Sequence, residues 1–156
     1  WNSLYSFMVV SAIVGSQHRQ LEKHLYWMVL LIIFFVSGFR WAVGTDFGAY
    51  QHIFEGTTRL PWGNLTVIAM LNEIGFNGLM RGIRALGLSY SGLLVATSFI
   101  FFLGLHRLAI RQPNPLAILV LAFPLLIINL PMGAIRQGAA FGFICFASTL
   151  FLTNNY

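Results

Sequence analysis

Six ionised side chains stand out in this chain: Arg40, Asp46, Glu73, Arg81, Arg84 and Arg136. They interrupt largely apolar sequence in which charged residues make up only 8% of the total, against roughly a quarter in an ordinary soluble domain. An ionisable group beside or inside a bilayer is costly to hold there, so its default reading is functional. Arginine forks suit phosphate oxygens, and carboxylates placed among them suit acid–base chemistry. The combination points to a phosphate-bearing ligand and a proton transfer.

The six fall in three patches, each with a plainer alternative. Gly38-Phe-Arg-Trp-Ala-Val-Gly-Thr-Asp-Phe-Gly-Ala-Tyr50 sets Asp46 between Gly44 and Gly48, as a tight turn presenting a carboxylate would. Thr45 or Asp46 can N-cap a helix running through Tyr50 and Phe54. The alternative is an Arg40 that snorkels to the interface and an Asp46 that only caps. In the second patch, Glu73, Asn77, Arg81 and Arg84 recur at helical spacing and fall within a stripe of about 80°. Phe76, Leu79, Met80, Ile83 and Leu86 cover much of the remaining surface. The alternative is an interfacial helix with a solvated polar face. In the third, Pro131 and Gly133 break the chain and Arg136-Gln137 opens a new apolar run. An arginine beside free helix N–H groups makes an anion site, and the alternative is a charge at a membrane boundary.

The elements that must position these patches are apolar helices. The chain is 58% hydrophobic and 15% aromatic, with a mean hydropathy of +0.78, which places it among membrane proteins. At about 20 apolar residues per crossing, the runs at 4–14, 25–43, 92–110, 116–130 and 138–152 are the expected spans. Pro124 predicts a kink in the fourth. The expectation is an all-α, polytopic transmembrane helical bundle: a single membrane domain over 1–156 with about five spans. A long segment, 40–91, joins the second and third spans. It is too apolar for an ordinary loop, and Leu65–Leu71 reads as a re-entrant or amphipathic helix. The start at Trp1 and the end after an apolar run are those expected of a piece of a longer polytopic protein.

Two spans separate segment 40–91 from 131–137, so the two share a side. The short turns at 16–24 and 107–115 carry Arg19, Lys23, Arg107 and Arg111. Density of positive charge in short turns places them in the cytoplasm and the long segment outside it. The net charge of +5 is scattered among apolar runs and forms no basic face, which argues against nucleic acid. A lone cysteine, Cys145, builds neither disulfide nor Cys-based metal site. His18, His24, His52 and His106 share no ligand spacing, and no nucleophile motif or phosphate-cradling glycine loop is present. No metal and no cofactor is expected.

Arg40…Gly44-Thr-Asp46…Tyr50, then Glu73-Ile-Gly-Phe76, then Ile135-Arg-Gln137 before an apolar span, resembles the EpsG family of polytopic exopolysaccharide-synthesis proteins. In role that family is related to Wzy-type polymerases of O-antigen and capsule. The resemblance implies a multi-pass protein of the bacterial inner membrane. It implies a polymerase, a membrane glycosyltransferase joining repeat units carried on polyprenyl diphosphate outside the cytoplasm. On that reading Asp46 and Glu73 are the catalytic candidates, one of them as base. Arg40, Arg136, Gln137, Tyr50, Arg81 and Arg84 are the substrate-binding candidates. Tyr50, Trp41 and Trp62 can stack on sugar rings, or sit in the aromatic belt. The implied partners are the lipid-linked glycan, the bilayer and other polysaccharide-export proteins. A different class of function shares the arginines: a non-catalytic glycolipid transporter or export-complex subunit, which needs no carboxylate base.

Overall fold

The computed structural model describes residues 1–17, 19–44, 47–59 and 74–154. The catalytic candidates Asp46 and Glu73, the expected re-entrant stretch Leu65–Leu71, Trp62 and His18 lie outside them. All regular structure among the described residues is helical. Helix α1 is Asn2–Gln17, α2 Arg19–Gly38, α3 Phe47–Arg59, α4 Ile74–Ala85, α5 Tyr90–Ala109, α6 Pro115–Ala122 and α7 Ile135–Asn154.

Helices stand at all five expected span positions, but among the described residues only two have the length and apolarity to cross a membrane: α2 over Gln20–Gly38 and α5 over Tyr90–Ala109. The apolar stretches of the others are shorter, at Asn2–Gly15, Pro115–Ile127 and Ile135–Phe151. Proline sets the limit on α6. Pro115 opens it at a position where a missing N–H costs nothing. Pro124 then withholds the N–H that Val120 would accept, and the backbone widens into a π-helical turn over Phe123–Ile127. Asn129 closes that end, its Nδ2 donating to the Leu125 carbonyl at 2.8 Å.

The second helix differs from expectation at both ends. It starts at Arg19 rather than Leu25, and it stops at Gly38 rather than running to Val43. Arg19, Glu22 and Lys23 are good helix formers, and Glu22 in the first turn suits the helix dipole. Their polarity marks the water boundary of the helix and not its start.

Helix α5 is the hub. It runs antiparallel to α2: Tyr26 meets His106 at one end, Phe34 meets Phe102 in the middle, and Ser37 Oγ lies 3.1 Å from Ser98 Oγ at the other. On its other side it packs along α7 at very close range. A Cβ on Gly104 would overlap the Gly142 carbonyl oxygen, and one on Gly142 would overlap that of Ile100. Lipid tails are as apolar as leucine, so helices in a bilayer associate by such close van der Waals approach rather than by hydrophobic drive. Gly142→Leu is therefore expected to separate α7 from α5. The loss is on the order of 3 kcal/mol, read as a lower melting temperature in detergent. Gly56→Ala, with nothing within 4 Å of its added Cβ, is the control.

Two buried clusters fill the bundle. The larger joins Met8, Ile33, Phe101, Leu105, Leu119, Phe123 and Ile127, from α1, α2, α5, α6 and the π turn. The smaller joins Phe54 of α3, Met80 and Ile83 of α4, Tyr90, Leu93 and Leu94 of α5, and Ile135 of α7. It docks the α3–α4 pair onto the ends of α5 and α7. Outside these clusters Phe35, Phe99, Leu121, Phe143 and Phe151 are more than half exposed. An apolar exterior of this kind is suited to lipid, not to water.

Candidate functional site

The candidate site lies where α2 ends. The turn 39–44 bends sharply, with Ala42 at φ 53 and Gly44 at φ 107. Left-handed backbone at a non-glycine residue costs roughly 1–2 kcal/mol and is retained where surroundings over-determine it. Here the turn is locked against the 128–134 turn. Gly44 packs so closely on Met132 that a Cβ would overlap its carbonyl oxygen. Arg40 ties the same two turns together. Its Nη1 donates to the Ser37 carbonyl at 3.0 Å and to the Pro131 carbonyl, and its Nε donates to the Val43 carbonyl at 3.1 Å.

Arg40 is 8% exposed. Burial pulls its guanidinium down from the ordinary arginine range, and the nearby Tyr90 phenol pushes the other way. A guanidinium stays charged under any such shift. None of the described hydrogen bonds uses Nη2, which leaves that edge of the fork for a ligand.

Arg136 is the second residue of α7 and is half-buried. It lines a cavity of about 490 Å³ with Gly75, Phe76 and Leu79 of α4, Ile100 of α5, and Ala139, Ala140 and Phe143 of α7. A second cleft of about 300 Å³ opens between the two locked turns, lined by Val43, Gly44, Asn129, Met132 and Gly133. Arg136 thus combines a forked cation, a helix N-terminus and open space, the three features of an anion site.

The stripe on α4 faces inward. Asn77 and Arg81 are buried, at 4% and 5% exposure, and Arg84 is exposed. The solvated polar face weighed for this helix therefore holds only for Arg84. Among the described residues neither amide atom of Asn77 has a hydrogen-bond partner, a costly state for a buried polar group. Tyr50 is half-buried, its ring 5.8 Å from that of Phe76, so it bridges α3 to α4. Gln137 is exposed beside Arg136. Trp41 is 67% exposed on the strained turn and touches Phe47 edge-on at 5.6 Å. Of the two described aromatics weighed for sugar stacking, Trp41 is the more exposed.

Arg40, Arg136, Gln137, Arg81 and Tyr50 therefore gather at one end of the bundle, delivered by the α2 terminus, α3, α4 and the α7 N-terminus. Arg84 joins them only at the exposed edge. Sequence periodicity gave no sign that Asn77 is buried. A polar residue at stripe spacing looks the same whether its face meets water or protein.

Apolar helices and an apolar exterior define a helical membrane protein, with Arg136, among the described residues, the one charged residue lining the cavity at this end. The EpsG family profile matches residues 23–156, nearly the whole chain, and the chain belongs to the EpsG family. Membership puts it among proteins of exopolysaccharide synthesis, a family associated with polymerase or glycosyltransferase-like activity. Neither a curated protein nor a solved structure matches it.

Proposed function

We propose that the chain polymerises polyprenyl-diphosphate-linked oligosaccharide repeat units into exopolysaccharide, O-antigen or capsule. It would act as a multi-pass protein of the bacterial inner membrane, at the extracytoplasmic face. The observation that carries this reading is the docking of the Arg40 turn onto the 128–134 turn, one step from Arg136. Arg40 and Arg136, distant in sequence, thereby come to the same end of the helices, where Arg136 borders open space.

The reaction needs little beyond those groups. A hydroxyl oxygen of the acceptor unit forms a bond to the anomeric carbon of the donor glycan. The bond from that carbon to the diphosphate oxygen breaks, and polyprenyl diphosphate leaves with the electron pair. Arg136, aided by the α7 N-terminus and the Nη2 edge of Arg40, neutralises charge as it develops on the leaving group. Arg81, Arg84 and Gln137 hold the remaining phosphate and sugar oxygens, and Tyr50 borders the glycan. Asp46 or Glu73 takes the hydroxyl proton. An arginine-rich setting stabilises a carboxylate and weakens it as a base, so one of the two acts by orienting the arginines.

The test replaces Asp46 by Asn and Glu73 by Gln in cells that make the polymer, with protein level checked. Loss of long chains with single lipid-linked repeats accumulating is expected for the base. Normal chains in both variants would sink the enzymatic reading. A variant that still binds lipid diphosphate while making no polymer separates an enzyme from a glycolipid transporter, which needs no base.

A further inference from the structure

A third cavity, of about 400 Å³, lies at the opposite end of α2 and α5. It is lined by Glu22, Lys23, Tyr26, Trp27, His106 and Gln112, among others. At about 1.5 Å per residue, Tyr26 lies roughly 18 Å along the α2 axis from Gly38, so this cavity is separate from the arginine site.

The informative atom is Glu22 Oε1. It is buried, and among the described residues no donor reaches it. Tyr26 stands one turn along the same helix face, where its hydroxyl is the natural donor. That hydroxyl instead pairs with His106 Nδ1 at 2.9 Å. First-turn placement suits a carboxylate, but it does not explain an oxygen stripped of water with nothing in exchange. A carboxylate so held is costly, and a cation beside it repays most.

The walls suit a cation. Tyr26, Trp27 and His106 line the same cavity as Glu22, with Trp27 and His106 centroids 4.8 Å apart, and aromatic rings attract ammonium groups. Lys23 stands beside Glu22 and offers a charge of the opposite sign. The pocket also sits at a fixed depth. The membrane-crossing stretch of α2 starts at Gln20, which puts Glu22 and Lys23 at headgroup level. Trp27 and Ile110 are half exposed on the outer side.

The geometry points to a binding site for the phosphoethanolamine headgroup of a membrane lipid. Its primary ammonium sits in the recess and pairs with the Glu22 carboxylate, and its phosphate meets Lys23. A primary ammonium can donate to the carboxylate, and phosphocholine, a cation with no N–H, cannot. This inference is independent of the polymerase reading.

Native mass spectrometry of the native-length protein from nanodiscs of equal phosphatidylethanolamine and phosphatidylcholine tests it. Preferential retention of phosphatidylethanolamine is expected, falling about tenfold in Glu22→Gln, the effect of one charge-assisted bond. Trp27→Ala, at the exposed rim, carries the same test should Glu22→Gln fail to accumulate. Soluble phosphoethanolamine that displaces the lipid assigns recognition to the headgroup alone, and failure to displace it at equal occupancy means that the acyl chains contribute. Equal retention of both lipids by the wild type, or unchanged preference in both variants, would overturn the assignment.

Discussion

Arg136→Ala is expected to abolish long polymer while the protein accumulates normally. Single lipid-linked repeats should build up behind the block. The argument rests on position. Arg136 opens α7 at the edge of a cavity, and on the proposed reading the helix N–H groups and the guanidinium act on the same anion. Removing one preorganised donor from a developing oxyanion costs roughly 10²- to 10³-fold in rate. Arg136→Lys keeps the charge and loses the fork, so it should recover part of the chain length and not all of it. The check is a gel ladder of chain lengths beside a blot for protein. Wild-type ladders in Arg136→Ala would mean that this arginine only marks a membrane boundary.

Much of the frame was legible because a bilayer leaves few choices. Runs such as Leu25–Phe39 and Gly92–Ile110 cannot be loops in an apolar solvent, and all but the last residue of each is helical. The helix through Tyr50 and Phe54 was legible from the glycines and polar residues before it, and it spans Phe47–Arg59. Termini were less legible, as at Arg19, where charge was mistaken for a turn. Length was the weaker inference: prolines at 115 and 124 shorten α6, and the π turn comes from one missing N–H.

The site was legible as a set of residues and not as an arrangement. Spacing put Asn77 and Arg81 on one stripe, but which way the stripe turns depends on α3 and α5, far away in sequence. The Glu22 pocket went unseen for the same reason. Its walls come from the start of α2 and the end of α5, and its key contact, Tyr26 with His106, joins residues 80 apart. Residue types suggest chemistry, and only packing says which side chains can reach one another.

That distinction yields the sharpest contrast, between two arginines that look equivalent in sequence. Arg40→Ala is expected to act first on stability. Its guanidinium serves three backbone carbonyls, those of Ser37, Val43 and Pro131, and is nearly enclosed. Removing it leaves those acceptors in a site with little water and unties the turn that carries Gly44 from the one that leads to Arg136. Hydrogen bonds from a charged donor are worth about 1.5–3 kcal/mol each, and bonds sharing one group do not add fully. A loss of about 3–5 kcal/mol follows. In detergent it should appear as a melting temperature lowered by roughly 10 °C, with polymer falling with the folded protein and further, by the loss of the Nη2 edge. Arg40→Lys, a point charge on a flexible stem, can serve one carbonyl at a time and should fall between. Arg136→Ala should show the reverse pattern, with melting nearly unchanged and polymer lost. An Arg40→Ala protein that melts like the wild type would show that the three carbonyls do not depend on it. Its conservative clamp role would then be wrong, and the whole fork would have to be assigned to the ligand.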